Sequence, residues 1–452
     1  MEKSQGKLGL LESSTILIGG MVGSAIFSLS GITIMNAGPS AILSWIAAGV
    51  ILFGYGLLNA ELSTIYPNSG GVFTFPAKSL GKTPEQGRFW GWLSSWAYLC
   101  SCWGGAAFSA IYVGTYLSVA FPALAGLRVP LALLATLLCG VLNVFKISVT
   151  GKVSILLTGS LVLTMLLFIG VGLFGGQWDA ALLTPFFTQG SQGSLGFLST
   201  IPIAMVAYGS IVAVAFMVGE IKDPNKNVPR AMVIAMSIVI ALYCLVMLTT
   251  LGLVTAGFLS ENPDMTYIPL YAAAFTKLAH IPWLPALISV SATLALNTAM
   301  LVLIALASRT LQAAARSGIL PKALGRNNAK TGVPLNATIL VTVAFGALAS
   351  FPMFTEFIIN LGAMCNVIVV SIICVTVIAA RRKNPGVKAF RAPGGNVMPI
   401  LILIVLVTCY VPKILTGGWQ LWVFTAGYLL VGLMVYFSGA KRRKSDKDLL
   451  NY

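Results

Sequence analysis

The chain consists largely of long apolar runs that carry no lysine, arginine, aspartate or glutamate at their centres. A helix of about 20 apolar residues crosses the hydrocarbon core of a bilayer, so these runs predict membrane-spanning helices. Only 9% of the 452 residues are charged, whereas a soluble domain carries about 25% charged residues. We therefore expect an all-α polytopic membrane protein. The composition excludes a soluble enzyme, a disordered chain and a nucleic-acid-binding module.

Twelve of the runs are predicted to be transmembrane helices, and they set the domain organisation. The predicted spans are residues 13–36, 40–66, 89–119, 128–147, 153–175, 196–218, 229–256, 283–312, 334–351, 357–380, 397–416 and 419–440. Residues 13–175 and 196–380 then hold five spans each, 397–440 hold two more, and 1–12 and 441–452 form the ends. Because each half has an odd number of spans, the two halves are predicted to be inverted relative to each other.

The distribution of lysine and arginine predicts the orientation. With these spans, 25 of the 28 lysines and arginines fall on one side of the membrane, and only Arg128, Lys277 and Lys413 fall on the other. Positive residues are concentrated on the cytoplasmic side of membrane proteins. Both termini are therefore predicted to be cytoplasmic, in a plasma (inner) membrane. The net charge of +16 follows from this topology and needs no nucleic-acid partner.

The side chains offer no catalytic or metal-binding set. His280 is the single histidine, and the seven cysteines lie in apolar runs without metal-ligand spacing. No acidic residue lies at the predicted mid-depth of a span, so neither a catalytic constellation nor the charged ring of a channel is recognisable. We therefore predict no enzyme activity, no metal and no cofactor. A transporter is favoured, and a structural or sensor protein with the same fold stays an alternative.

The backbone is the remaining candidate for binding a polar solute. Gly19, Gly20, Gly23 and Ser24 in the first span are poor helix formers, and the sixth span has a similar interruption at residues 207–210. Broken helices free N–H and C=O groups that bind solutes near the bilayer midplane. Close helix packing through small residues is the alternative for each segment. Their corresponding positions in two inverted halves favour a transport site.

Four ordered motifs connect the chain to a known family. They are Gly23-Ser24-Ala25-Ile26-Phe27 in the first span, Ala60-Glu61-Leu62 with residues 66–71 after the second, Glu220-Ile221-Lys222-Asp223-Pro224 after the sixth, and Ser308-Arg309 with residues 315–321 after the eighth. On these motifs the sequence resembles the amino acid–polyamine–organocation permeases. The resemblance implies a LeuT-like five-plus-five inverted repeat with unwound helices one and six, followed by two further helices.

The resemblance also implies a substrate site between helices one, three, six, eight and ten. The residues assigned to the amino acid carboxylate in helix one are Met21, Val22, Gly23, Ser24, Ala25 and Ile26, and those assigned to the ammonium group in helix six are Ala207, Tyr208, Gly209 and Ser210. The other assigned residues are Ser101, Cys102 and Ala106 in helix three, Val206 in helix six and Asn297 in helix eight. For Asn297, an interhelical hydrogen bond is the alternative.

Three residues are predicted to act as gates. Glu61 and Glu220 lie near predicted cytoplasmic ends beside many basic residues, where ion pairs would hold that side shut. A surface ion pair worth about 0–1 kcal/mol is the alternative for each. Many members of the family carry an aromatic gate where this chain has Val206, so Trp103 or Tyr208 would supply the occluding ring.

Three departures from the family bear on the substrate and on coupling. Ala25 stands where the family usually has glycine, and its methyl group narrows the space beside the backbone. Many members carry a lysine in the middle of helix five, whereas this chain reads Thr158-Gly159-Ser160, so lysine-based proton coupling is not implied. Val212 stands where the arginine/agmatine type has a glutamate, which argues against a guanidinium substrate.

These features predict a permease or exchanger that moves neutral L-amino acids across the plasma membrane by alternating access. A zwitterionic amino acid can be bound without charged side chains, because the free N–H and C=O groups of two unwound helix ends can bind its carboxylate and ammonium groups. An amine or polyamine permease and a proton-coupled amino acid symporter are the alternatives. The predicted partners are a small-molecule substrate and the lipid bilayer. Residues 121–127 contain no cysteine, so no disulfide-linked subunit is predicted, and whether the chain forms a homo-oligomer stays open.

Overall fold

The computed structural model describes residues 8–66, 71–145, 151–213, 221–387, 389–416 and 418–440. Within these ranges the chain is built almost wholly from helices, and its β-type pairing is an isolated bridge between Leu8 and Ile221. The predicted gate residue Glu220 and most of residues 66–71 lie outside the described residues. All seven cysteines lie within them and are free thiols.

The helices are numbered here in chain order. The first nine are α1 Leu10–Met21, α2 Ser24–Ala37, α3 Ala41–Ile65, α4 Gly71–Ser79, α5 Pro84–Ala120, α6 Arg128–Val144, α7 Gly151–Phe174, α8 Gly196–Tyr208 and α9 Pro224–Leu251. The others are α10 Ala256–Glu261, α11 Pro263–Thr266, α12 Pro269–Lys277, α13 Trp283–Arg316, α14 Lys322–Gly325, α15 Leu335–Ala349, α16 Thr355–Lys383, α17 Val397–Thr416 and α18 Trp419–Ser438. The short helices α4, α10, α11, α12 and α14 lie between the predicted spans and were not foreseen from the apolar pattern.

Many of these helices have the length and composition of membrane spans. Eight stretches of the described residues qualify: Ser24–Ile65, Pro122–Val144, Leu156–Phe174, Gly193–Val212, Pro224–Leu251, Trp283–Arg316, Phe357–Lys383 and Trp419–Ser438. Shorter apolar helices cover Leu10–Met21, Leu335–Ala349 and Val397–Val411. The 37-residue α5 is not among the eight, because its tryptophans, serines and glycines lower its mean hydropathy. The chain is thus an all-α polytopic membrane protein, as the sequence predicted.

The first predicted span, residues 13–36, is not a single helix. α1 ends at Met21 and α2 begins at Ser24. Between them Val22 has φ −69° and ψ 72°, and Gly23 is extended with φ −124° and ψ −152°. The backbone is therefore broken at the position where the glycines predicted an interruption.

The sixth predicted span, residues 196–218, is also interrupted. The α-helix α8 ends at Tyr208, and the chain continues as a 3-10 helix over Gly209–Ala213. A 3-10 helix is narrower and has poorer hydrogen-bond geometry than an α-helix, and it often marks a functional segment within a longer helix. The rest of this predicted span lies beyond the described residues.

The long helix α5 stands at the centre of the bundle and packs most extensively against α13 and α16. It starts at a Thr83 cap whose hydroxyl accepts from the Gln86 N–H, followed by Pro84 in the first turn. Small residues bring α16 close to it. A Cβ at Gly104 would lie 3.1 Å from the Ile358 carbonyl oxygen, and one at Gly362 would lie 3.3 Å from the Cys100 carbonyl oxygen. These approaches bring the backbones of α5 and α16 into direct contact.

The close contact between α2 and α11 can be tested by a substitution at Gly31. A Cβ at Gly31 would overlap the backbone carbonyl of Thr266, so Gly31→Ala must push α2 and α11 apart. We expect the unfolding temperature of the purified protein in detergent to fall by several degrees, because a backbone contact cannot relax as a side-chain contact can. Gly170→Ala on α7 is the matched control, since a Cβ there would meet no atom within 4 Å. An equal loss in both variants would contradict the packing.

Candidate substrate site

A cavity of about 140 Å³ lies between α1, α2, α3, α5, α8, α13 and α16. Its lining residues on the first three of these helices are Gly20, Met21, Gly23, Ser24, Ala25, Leu29, Leu52 and Tyr55, and those on α5 are Tyr98, Ser101, Cys102, Gly104, Gly105 and Phe108. The rest of the lining comprises Val206, Ala207, Gly209, Ser210, Val212, Ala299, Leu303, Leu306, Ile359, Gly362, Ala363, Asn366 and Val369. No aspartate, glutamate, lysine, arginine or histidine is among these lining residues.

The cavity brings together ten of the residues that the sequence assigned to the substrate. They are Met21, Gly23, Ser24 and Ala25 at the first interruption, Ser101 and Cys102 on α5, and Val206, Ala207, Gly209 and Ser210 at the second. Val22, Ile26 and Ala106 do not line the cavity, and each is fully buried in the surrounding core. Residues that alternate around a helix face different neighbours, so consecutive positions cannot all reach one solute.

Tyr208 is a correction to the predicted site and to the predicted gate. It does not line the cavity. Its hydroxyl donates to the Trp45 carbonyl oxygen at 3.1 Å, and its ring packs against the rings of Trp45 and Tyr243 with centroid distances of 6.3 and 5.2 Å. The aromatic cluster fixes Tyr208 between α3 and α9, where it stabilises the end of α8.

Asn297 and Trp103 also point away from the cavity. The Asn297 carboxamide nitrogen donates to the Thr293 carbonyl oxygen at 2.8 Å, and its oxygen accepts from the Cys139 thiol on α6 at 3.6 Å. Asn297 thus makes an interhelical contact with α6, which was the alternative to substrate binding. The Trp103 ring meets the Phe345 ring on α15 edge-on, with 5.2 Å between centroids. It packs α5 against α15 and supplies no occluding ring over the cavity.

The sequence interpretation placed helix ten, which is α16, at the site but assigned none of its residues. Ile359, Gly362, Ala363, Asn366 and Val369 line the cavity, and their spacing of three or four residues places them on one face of the helix. The small residues Gly362 and Ala363 could have identified that face from the sequence, because small side chains allow α5 to approach closely. The apolar pattern alone could not show which face of this apolar helix meets the cavity.

The two interruptions meet at the cavity. A Cβ on Gly20 would lie 3.3 Å from the Ser210 Cβ, so the end of α1 touches the 3-10 segment. Gly23 precedes α2 and has no side chain, so the first-turn N–H groups of that helix have no side-chain cap. Uncapped N–H groups and the positive end of the helix dipole favour an anionic group. This end of the cavity is therefore suited to a carboxylate.

The last turn of α1 offers carbonyl oxygens beside those N–H groups. The Ile18 carbonyl accepts from the Val22 N–H, and the Met21 carbonyl accepts from the Gly23 N–H and the Tyr243 hydroxyl. The carbonyls of Gly19 and Gly20 accept no hydrogen bond from the described part of the chain. The negative end of a helix dipole favours a cation, so carboxylate-binding and ammonium-binding groups lie side by side.

A buried ion cluster lies near the C-terminal end of α3. The Glu61 side chain is fully buried, and its carboxylate accepts from Arg381 Nε at 2.8 Å and Nη2 at 2.6 Å. Arg391 Nη1 and the Ala392 N–H also donate to it, at 3.3 and 2.9 Å. We call Glu61, Arg381, Arg391 and Ala392 the Glu61 cluster. It ties the end of α3 to the end of α16 and to the segment before α17.

A second set of polar contacts supports the same region. The Tyr66 hydroxyl accepts from the Ser79 hydroxyl at 3.2 Å and from the Asn384 carboxamide at 3.0 Å. Lys383 Nζ donates to the Gly81 carbonyl oxygen at 3.1 Å. These bonds join α4 and the loop after it to the end of α16. On α7, the Thr158 hydroxyl packs directly on Gly19.

Membrane-length helices around a solute-sized cavity are features of a multi-pass membrane transporter. The family model described as "Amino acid permease" matches residues 8–435. The chain belongs to the amino acid permease family, within the amino acid–polyamine–organocation superfamily. It is accordingly a plasma-membrane transporter of amino acids and not an enzyme.

Individual relatives cover most of the chain at low identity. The branched-chain amino acid permease BcaP of Bacillus subtilis (strain 168) is 25% identical over 450 residues, covering 95% of this chain and 92% of the relative. The methylthioribose transporter of the same organism is 26% identical over 454 residues, with coverage of 95% and 92%. The serine/threonine exchanger SteT, also of Bacillus subtilis, is 29% identical over 267 residues, which is 58% of each chain.

Proposed function

We propose that this chain carries neutral L-amino acids across the plasma membrane by alternating access. The proposed fold is a LeuT-like arrangement of twelve spans, with residues 13–175 and 196–380 as inverted repeats, 397–440 as two added spans, and both termini in the cytoplasm. The observation that carries the proposal is the meeting of two interrupted helices, through Gly20 and Ser210, at a cavity whose wall has no charged side chain. A zwitterion suits such a wall because the backbone supplies both complementary charges.

The amino acid carboxylate is proposed to bind the first-turn N–H groups of Ser24 and Ala25, which the helix dipole of α2 reinforces. The ammonium group is proposed to bind the carbonyl of Gly20 and the backbone around Ser210. The remaining wall is largely apolar, as at Val206, and holds no charged side chain, so it would take an uncharged side chain. Charge-assisted hydrogen bonds of this kind are each worth about 1.5–3 kcal/mol.

The Glu61 cluster is proposed to act as a gate. A buried carboxylate held by a bidentate arginine has few alternative partners, so the cluster favours one discrete arrangement of α3 and α16. Opening a path past the end of α16 requires this ion cluster to separate. Glu220, which lies outside the described residues, keeps its predicted gating role as part of the proposal.

An amine or polyamine substrate is the second candidate, and the cavity argues against it. A cation without a carboxylate would need an acidic side chain to offset its charge, and no aspartate or glutamate is among the lining residues. The relatives named for branched-chain amino acids and for serine/threonine support a neutral amino acid. The relative named for methylthioribose adds a neutral solute of a different kind to the substrates that must be tested.

Exchange without a driving ion is the proposed mode of coupling. Thr158, not a lysine, packs against Gly19 at the first interruption, so no basic side chain is available there to carry a proton. A proton-coupled symporter is the alternative. Exchange predicts that uptake depends on amino acid already present on the far side of the membrane.

Transport into liposomes tests the function and its coupling together. The purified protein should take up labelled neutral L-amino acids into liposomes loaded with unlabelled amino acid, and should leave arginine, putrescine and methylthioribose outside. Uptake should be indifferent to imposed pH and Na⁺ gradients. Protein-free liposomes are the control. Concentrative uptake into empty liposomes under either gradient would overturn exchange, and uptake of putrescine in place of amino acids would overturn the proposed substrate class.

A further inference from the structure

Asn366 is a polar side chain in the cavity wall, and it belongs to neither of the two interrupted helices. It lies on α16 and lines the cavity while being half-buried. Its carboxamide makes no hydrogen bond with any residue that the structure describes. A carboxamide offers two donors and an acceptor oxygen. Such a group in a largely apolar wall must bind either water or a solute.

The surroundings of Asn366 place it beside the substrate-facing part of α5. The Ser101 hydroxyl donates to the Gly362 carbonyl oxygen at 2.9 Å, one turn before Asn366 on the same face of α16. Ser101 and the adjacent Cys102 also line the cavity. On the same α16 face Asn366 is flanked by Ala363 and Val369, so its amide is the polar group on that face of the helix.

Asn366 lies on a helix that is continuous through the cavity. The α-carboxylate and ammonium groups have their complementary backbone groups at the α1–α2 break and at Ser210, so Asn366 is left to meet the substrate's side chain. An apolar side chain would strip water from the carboxamide and leave it unpaired, which is unfavourable. A hydroxyl or carboxamide of similar size would replace that water with a hydrogen bond.

We propose that Asn366 is a specificity-determining residue that favours neutral amino acids whose side chain bears a hydroxyl or carboxamide over aliphatic side chains of the same shape. The inference rests on the proposed function, because it takes the substrate to be an amino acid held at the two interruptions. It assigns threonine over valine and asparagine over leucine as the preferred member of each pair.

The test compares threonine with valine, which differ by one hydroxyl in place of a methyl group. Transport of both is measured in proteoliposomes as kcat/KM for the unmodified protein and for Asn366→Leu, which keeps the shape of the side chain and removes its polar atoms. We expect the unmodified protein to favour threonine at least tenfold, and the ratio to fall at least tenfold in Asn366→Leu, a change of about 1.4 kcal/mol. Asn360→Leu, on the same helix but outside the cavity lining, should leave the ratio unchanged.

Two further variants keep the test decisive if Asn366→Leu does not insert. Asn366→Gln retains the amide and should still favour threonine, whereas Asn366→Ala should lose most of the preference. An unchanged threonine-to-valine ratio in Asn366→Leu or Asn366→Ala overturns the inference and leaves the proposed function standing. A protein that transports no amino acid under any loading condition instead overturns the proposed function, and the inference fails with it.

Discussion

Replacing Gly23 with valine is expected to reduce amino acid uptake by about 100-fold or more, while the protein still inserts and folds. Gly23 stands between α1 and α2 in an extended conformation that a β-branched residue adopts readily. The effect should therefore come from the two methyl groups, which would occupy the space in front of the Ser24 and Ala25 N–H groups. Losing two charge-assisted hydrogen bonds at about 1.5–3 kcal/mol each accounts for a loss of this size.

Gly23→Ala is the matched control for that variant. A Cβ at Gly23 would make ordinary contacts of 3.7 Å, to the Ala299 Cβ and to the Met21 carbonyl oxygen. Uptake by Gly23→Ala should stay within about tenfold of the unmodified protein, because one methyl group fits the existing space. Uptake is measured in liposomes at equal protein content, with retention on size-exclusion chromatography as the check on folding. Undiminished uptake by Gly23→Val would mean that the interruption serves helix packing only.

Glu61→Gln is expected to lower the free energy of unfolding by about 3–5 kcal/mol, the usual effect of removing one partner of a buried ion pair. The substitution keeps the shape of the side chain and leaves the Arg381 and Arg391 guanidinium groups beside a neutral amide. The Arg381 side chain is only 11% exposed, so water cannot fully replace the lost carboxylate. The measurement is denaturant or thermal unfolding of the purified protein in detergent.

Two companion variants separate the ion cluster from a general effect of charge removal. Glu261→Gln, on the exposed surface of α10, should change the free energy of unfolding by less than about 0.5 kcal/mol. Combining Glu61→Gln with Arg381→Gln should recover part of the lost stability, because the unpaired buried charge is then removed as well. A Glu61→Gln variant as stable as the Glu261→Gln control would show that the cluster contributes nothing measurable.

The helix breaks are the part of the site that the sequence specified best. A glycine-rich segment in mid-span disfavours helix wherever it is placed, and the backbone is indeed broken between Met21 and Ser24. The same holds at Gly209, where the α-helix gives way to a 3-10 turn. Both effects are local properties of the backbone, so the residues around each break in the sequence are enough to predict its position.

The side chains around the breaks could not be assigned in the same way. Tyr208 and Gly209 are adjacent in sequence, yet Gly209 lines the cavity and Tyr208 packs into an aromatic cluster with Trp45 and Tyr243. An apolar helix that is buried on all sides has no polar face to fix its rotation. The direction of each side chain is then set by the helices packed around it.

The sequence by itself determined the class of protein and the place of the backbone breaks, because hydropathy and glycine content act on a single helix at a time. Only the tertiary structure decided that Asn366 faces the cavity and that Glu61 pairs with Arg381, 320 positions further along the chain. Those contacts depend on how α3, α5 and α16 pack, and helical periodicity fixes which residues share a face without fixing which neighbour that face meets.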